Sequence, residues 1–259
     1  ENNSIFMIRE AYSRIRKVAM LWSMGKDSTT LLWLIRKAFI GRVPFPVVHI
    51  DTGYKFPEIY EFRDKLTAEW NIDLIIAKNI DAIKRGVNPY VSKFECCNEL
   101  KTNALKSTLS NYKFRGLYLA IRRDEHGIRA KERVFSSRNN DFVWDYLNQP
   151  MELWSQYNSD VREKEHVRIH PLLAWREIDV WEYVRRENIP VMPLYFSRNN
   201  KRYRSIGCAC CCSPLDSKAN NVSAIIKELK NTEVSERSGR AQDKESAYTM
   251  QKLRALGYM

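Results

Sequence analysis

No apolar run in this chain approaches the roughly 18 residues needed to cross a bilayer, which excludes a membrane span. Residues 1–17 are polar with a helical pattern and predict no secretory signal, so a cytoplasmic protein is expected. Internal repeats and low-complexity segments are also lacking, which excludes solenoids and tails of biased composition. Cysteine is missing everywhere except in two tight groups, Cys96-Cys97 and then Cys208, Cys210, Cys211 and Cys212. Thiols scattered through a core would not cluster this way, and a cytosolic chain does not build a disulfide framework. Two groups about 110 residues apart in sequence suggest one site assembled by the fold. The remaining composition is globular, with 44% hydrophobic and 12% aromatic residues in a chain of 259. That length buries a full core as one large domain or one and a half. The formal charge of +12 suits nucleic acid, ATP and pyrophosphate, or an acidic protein partner, and charge alone does not choose among them.

Residues 18–34 organise the rest. Val18 to Trp22 reads as a short buried strand and Thr29 to Ile35 as the apolar face of a helix. Between them lies the polar turn Ser23-Met24-Gly25-Lys26-Asp27-Ser28. A strand, a tight turn and a helix start leave backbone N–H groups pointing outward, and with the helix dipole they cradle phosphate. Gly25 allows close approach, Ser23 and Ser28 add hydroxyls, and Lys26 adds charge. Asp27, at the helix start, suits the Mg2+ that bridges phosphates. Walker A is excluded, because no glycine stands four residues before the Gly-Lys pair.

Further strands are predicted at 45–50, 72–77, 116–120 and 167–172, alternating with helices at 56–70, 98–110 and 176–187. This alternation argues for an α/β fold with a doubly wound, mostly parallel sheet, whose ligand crevice lies at the carboxyl ends of the strands. Asp51-Thr52-Gly53 and Arg122-Arg123-Asp124-Glu125 close two such ends and should face the same side as the turn. Arg129, Lys131 and Arg133 follow, and residues 136–165 show no clean period. Pro190 and Pro193 mark a break between a 1–190 domain and a 191–259 subdomain with the second cysteine group, one helix near 217–230 and a basic tail ending at Met259.

Ser23 to Ser28 resembles the PP-loop, usually Ser-Gly-Gly-Lys-Asp-Ser, of the N-type ATP pyrophosphatases, with Met24 in place of the first glycine. Together with His49 to Gly53, Arg122 to Glu125, Arg129 to Arg133, Pro193-Leu194-Tyr195 and Ser235 to Arg240, it resembles the PP-loop family. That family contains phosphoadenosine phosphosulfate reductases and the small subunit of bacterial sulfate adenylyltransferase. The resemblance implies an adenine nucleotide alpha hydrolase-like fold with a small C-terminal helical subdomain. The activity it implies cleaves ATP between its α- and β-phosphates and adenylylates a target. Lys26, Asp27, Arg122, Asp124, Arg129 and Arg133 are the implied catalytic set. ATP would be held by Ser23, Gly25, Lys26, Asp27, Ser28, Asp51, Thr52, Gly53, Arg122, Arg123, Arg237 and Arg240.

The cysteines resemble those of adenylylsulfate reductases, where a tandem pair and a later Cys-x-x-Cys bind a 4Fe-4S cluster. That resemblance implies Cys96, Cys97, Cys208 and Cys211 as ligands, with Cys210 or Cys212 spare or sulfur-carrying. Zinc is possible with the same ligand types. A true reductase is disfavoured, since it attacks with a cysteine near the C-terminus and none follows Cys212. The cysteines and the charge together favour sulfur incorporation into nucleic acid, DNA before transfer RNA, as in bacterial DNA phosphorothioation. In that reading a cysteine desulfurase supplies sulfur. The alternative is sulfate activation beside a GTPase subunit, which leaves the cysteines idle. A non-enzymatic basic adapter is a third reading, and a homo-oligomer is possible in each.

Overall fold

A computed structural model describes residues 1–127, 129–139, 141–154, 156–157, 166–241, 252–253 and 256–257. Most of the expected basic tail, and part of the stretch without a clean period, lie outside the described residues. In chain order the elements are α1 (Asn2–Arg14), β1 (Val18–Leu21), α2 (Lys26–Ala38), β2 (Val47–Ile50), α3 (Pro57–Glu69) and β3 (Leu74–Ala77). Then come α4 (Ile80–Lys84), α5 (Lys93–Cys97), a π-helical turn at Asn98–Asn103, α6 (Ala104–Tyr112) and β4 (Gly116–Tyr118). β5 (Phe135–Arg138), β6 (His166–Ile169), α7 (Glu177–Glu187), β7 (Lys201–Arg202), β8 (Leu215–Asp216) and α8 (Val222–Lys230) complete the described residues.

The six-stranded sheet has the order β3-β2-β1-β4-β6-β5, and only β5 runs antiparallel. β1 shows why both faces are covered. Val18, Met20 and Trp22 point into one core with residues of α1, α2 and α7, while Ala19 and Leu21 point into the other with Leu105 and Leu109 of α6. Alternate residues on opposite faces, each apolar, make a strand with no solvent side, as doubly wound sheets require. The strand order reverses direction between β1 and β4, so the crevice opens beyond their carboxyl ends. Past Pro190, α8 packs on α7, with Ile225 and Ile226 joining the main core.

Two local readings change. The helix expected at 98–110 begins five residues earlier, and the cysteine pair lies within α5 rather than before the helix. β5 was not foreseen, because its sequence Phe-Ser-Ser-Arg lacks apolar alternation. Buried Arg138 is instead satisfied by Glu132 at 2.8 Å and by the Ser136 hydroxyl at 2.7 Å.

Candidate active site

β1 runs into Trp22, and α2 starts at Lys26 with Gly25 as its N-cap. The left-handed residue of the turn is Met24, at φ 63°, while Gly25 is extended at φ −67°. Ser28 knots the turn: its hydroxyl donates to the Gly25 carbonyl at 3.1 Å and accepts from the Ser23 N–H at 3.3 Å. The Trp22 indole donates to Thr29 Oγ1 at 3.1 Å, locking strand to helix. The Lys26 N–H, one of the orphan donors of the helix start, donates to the Tyr195 hydroxyl at 2.8 Å. Tyr195 is itself buried edge-on against Trp181, at 5.3 Å between ring centroids.

A cleft of about 1000 Å³, including the solvent at its mouth, opens on this turn. Its floor is made by the ends of β1 and β4, through Leu21, Trp22, Leu119 and Ile121. Charged groups converge on it in two sets. Lys26 donates to Asp27 at 3.1 Å and to Glu236; Arg122 donates to Asp27, to Glu236 and, at 3.0 Å, to Asp124. Lys26 and Arg122 are 1% and 0% exposed, so these are buried pairs whose attraction is little screened. Burial pushes the Glu236 carboxyl up, but Arg122 and Lys26 outweigh it and hold the group well below the usual carboxylate range. In the second set Glu125 accepts from Arg129 and, at 3.1 Å, from Arg237. Asp124 also caps α7, accepting the Glu177 N–H at 2.7 Å.

Of the residues singled out from the sequence, Ser23, Gly25, Lys26, Asp27, Ser28, Arg129, Arg237 and Arg240 line the cleft, and Arg122 stands behind it, bonded to Asp27. Others point elsewhere. Asp51 is tied to Lys78 at 2.8 Å, the Gly53 N–H at 2.9 Å and the Tyr60 hydroxyl at 2.8 Å. Burial raises its pKa, yet these three partners bring it down to about 2. Arg123 is exposed, and Arg133 donates to the Pro150 carbonyl at 3.1 Å. Thr52 lies against Cys208, 3.3 Å from its sulfur. Tyr195, Glu125, Glu236, Lys55 and Lys101 carry no role in the sequence reading, although Tyr195, Glu125 and Glu236 stand inside the motifs already noted.

The two cysteine groups do meet. Cys96 lies within electrostatic reach of Cys97, Cys208 and Cys210, and burial pushes its thiol up to about 12. Burial also raises Cys208, but Lys101 and Lys55 outweigh it and lower the thiol to about 7. Lys101, on the π-helical turn, reaches to 3.6 Å from Cys97 and lines the cleft as well. Cys212 accepts from the Gly207 N–H and from Arg240, each at 3.1 Å. Among the described residues no three Cys, His, Asp or Glu side chains close on a single ion position.

The model of the phosphoadenosine phosphosulfate reductase domain family matches residues 17–214. The chain belongs to that family. It is 37% identical over 289 aligned positions to proteins named sulfate adenylyltransferase subunit 2 from Aliivibrio fischeri, and over 293 to one from Pseudomonas paraeruginosa. Each alignment covers 100% of this chain and 96% of the relative. The fold is shared with phosphoadenylyl-sulfate reductase from Candida auris, at TM-score 0.58 and 16% identity over 82% of this chain and 90% of that one. FMN adenylyltransferase from Candida glabrata matches with TM-score 0.58 and 17% identity, over 82% and 61%. The chain is thus a PP-loop α/β enzyme of the nucleotide-transferring kind.

These relatives overturn the nucleic-acid reading. A full-length match to sulfate adenylyltransferase subunits supports sulfate, not DNA or transfer RNA, as the acceptor, and with it removes the reason for a desulfurase donor. Lys26, Lys101, Arg122, Arg129, Arg237 and Arg240 are all buried, in or behind the cleft, rather than spread over an outer face. Among the described residues no helix is long and apolar enough to cross a membrane.

Proposed function

We propose that this chain activates sulfate, moving the adenylyl group of ATP onto a sulfate oxygen and releasing pyrophosphate. The observation that carries the reading is the convergence of Lys26, Arg122, Arg129 and Arg237 on one cleft beyond β1 and β4, in a chain related along its full length to sulfate adenylyltransferase subunits. In this reading the turn at 23–28 receives the ATP phosphates, and Asp27 would hold a Mg2+ ion that supplies positive charge beside them. The apolar floor at Leu119 to Ile121 suits a base or ribose. A sulfate oxygen bonds to the α-phosphorus while the bond to the β-phosphate bridging oxygen breaks, and pyrophosphate leaves against the arginines. Little covalent help is needed, because positioning and fixed positive charge carry most of such a transfer. Tyr195 orients the turn by taking the Lys26 N–H. The resemblance implies a GTPase subunit as partner. The domain boundary near 190 is part of the same proposal.

The iron–sulfur reading is retained here for Cys96, Cys97, Cys208 and Cys211. The burial of all four, the nearness of Cys208 to both Cys96 and Cys211, and Lys55 and Lys101, which offset thiolate charge at Cys208, support this ligand set. The group would supply a rigid anionic centre tying α5 to the 208–212 loop.

The deciding experiment uses protein purified without oxygen. Pyrophosphate release from ATP that depends on sulfate, with and without the GTPase subunit, is expected; ATP hydrolysis indifferent to sulfate would refute the proposal. Iron and acid-labile sulfide content, measured on the same sample, tests the thiolate set.

A further inference from the structure

We infer that Glu236 is a built-in stand-in for the nucleotide's phosphates, holding Lys26 and Arg122 in the empty cleft and leaving them when ATP enters. The inference rests on the reading that these two cations receive phosphate. Glu236 is 8% exposed and places one carboxylate oxygen on each of them. Two cations this deeply buried repel one another and cost solvation, so an anion must sit between them whether or not nucleotide is bound. A phosphate oxygen offers the same charge and the same acceptor geometry, and although Asp27 also reaches both cations, a phosphate that takes the donor positions held by Glu236 displaces it.

The chain around Glu236 is anchored so that its side chain alone enters the cradle. On one side Arg237 grips Glu125 at 3.1 Å. On the other, the Ser213 N–H donates to the Gly239 carbonyl at 3.0 Å, and Cys212 pairs with Arg240. Gly239 permits that approach, because a Cβ there would stand 2.7 Å from the Ser213 carbonyl oxygen. Exchange is therefore a rotation of the Glu236 side chain rather than a movement of the whole 235–240 segment. Its cost lowers the apparent affinity for phosphate by the fraction of molecules in which Glu236 has swung out.

The test is calorimetric titration of magnesium pyrophosphate and magnesium ATP into the full chain, as wild type, Glu236→Gln and Glu236→Asp. Removing the competing charge in Glu236→Gln is expected to tighten pyrophosphate binding roughly tenfold. Glu236→Asp keeps the charge but, one methylene shorter, does not span both cations, and is expected to fall between. A merely structural glutamate would do the opposite, weakening binding when removed. Equal or weaker binding by Glu236→Gln, with wild type binding normally and circular dichroism showing both folded, overturns the inference. If Glu236→Gln does not fold, Glu236→Asp decides by the same sign. Wild type that binds neither ligand overturns the nucleotide reading itself.

Discussion

Met24 stands where the family pattern has glycine, and restoring the glycine separates two opposing energies. The residue sits at φ 63°, a left-handed conformation that costs a side-chain-bearing residue about 1–2 kcal/mol. Met24→Gly relieves that strain, but glycine gives back about 0.5–1 kcal/mol in the entropy of the unfolded chain. These backbone effects nearly cancel. What remains is the Met24 side chain, 0% exposed and packed in the main core, whose removal costs about 2–5 kcal/mol. Met24→Gly is therefore expected to be less stable by about 2–4 kcal/mol, a fall in melting temperature of about 5–15 °C for a domain of this size. The turn keeps its shape, so ATP affinity at a temperature where both proteins are folded should change less than about threefold. Thermal unfolding by circular dichroism and calorimetric ATP binding check both halves. An unchanged or raised melting temperature would refute the argument by showing that the backbone strain outweighs the buried side chain.

Lys26→Met is expected to lower kcat/KM for ATP about 10²–10³-fold, read from pyrophosphate release, because a buried charge beside the phosphates is lost. Tyr195→Phe leaves the Lys26 N–H without its 2.8 Å acceptor and should cost about 1–2 kcal/mol of stability in urea unfolding. A Cβ on Gly207 would overlap the guanidinium of Arg240, which can move, so Gly207→Ala should displace Arg240 from the cleft and weaken ATP binding with little loss of stability. In Gly239→Ala the clash is with backbone, and unfolding at lower denaturant is expected instead. The folded-state pKa of Asp51, about 2, lies below its unfolded value of about 3.9. Its contribution of about 2 kcal/mol is thus full above about pH 4 and lost as pH falls through 2. The stability gap between wild type and Asp51→Asn should shrink over that window in acid titration.

The parallel strands and the turn were legible because buried parallel strands read as continuous apolar runs and the turn as a polar break between two of them. β5 was not, since its buried positions are polar and satisfied by one another, as Arg138 is by Glu132 and Ser136. Lys101 was hidden by local geometry. It lies in the helix after the cysteine pair, and the π-helical turn that aims it at the cleft leaves no periodic mark. Asp51 misled for a different reason. A carboxylate at the end of a parallel strand is well placed for a ligand, but Lys78 at the end of the neighbouring β3 takes it first. Glu236 leaves no mark of its own, because one carboxylate between Ser235 and Arg237 looks the same in sequence whether it pairs locally or reaches Lys26 across the fold.

Net charge alone does not say what the cations recognise; their placement does. A surplus of +12 on an outer face would steer any polyanion, with an attraction that fades over about 10 Å at ordinary salt. Burying the cations changes what they recognise. Lys26 and Arg122 have fixed partners and little freedom, so they stabilise an anion only where geometry brings it to the cradle. In the proposed function, the anions brought there are the triphosphate of a nucleotide and a tetrahedral sulfate. The cost is that the cradle must carry counter-anions of its own when empty, which is the place that Asp27, Glu125 and Glu236 occupy. Selectivity for a small anionic substrate and the presence of internal carboxylates are then one requirement, met by the same buried pairs.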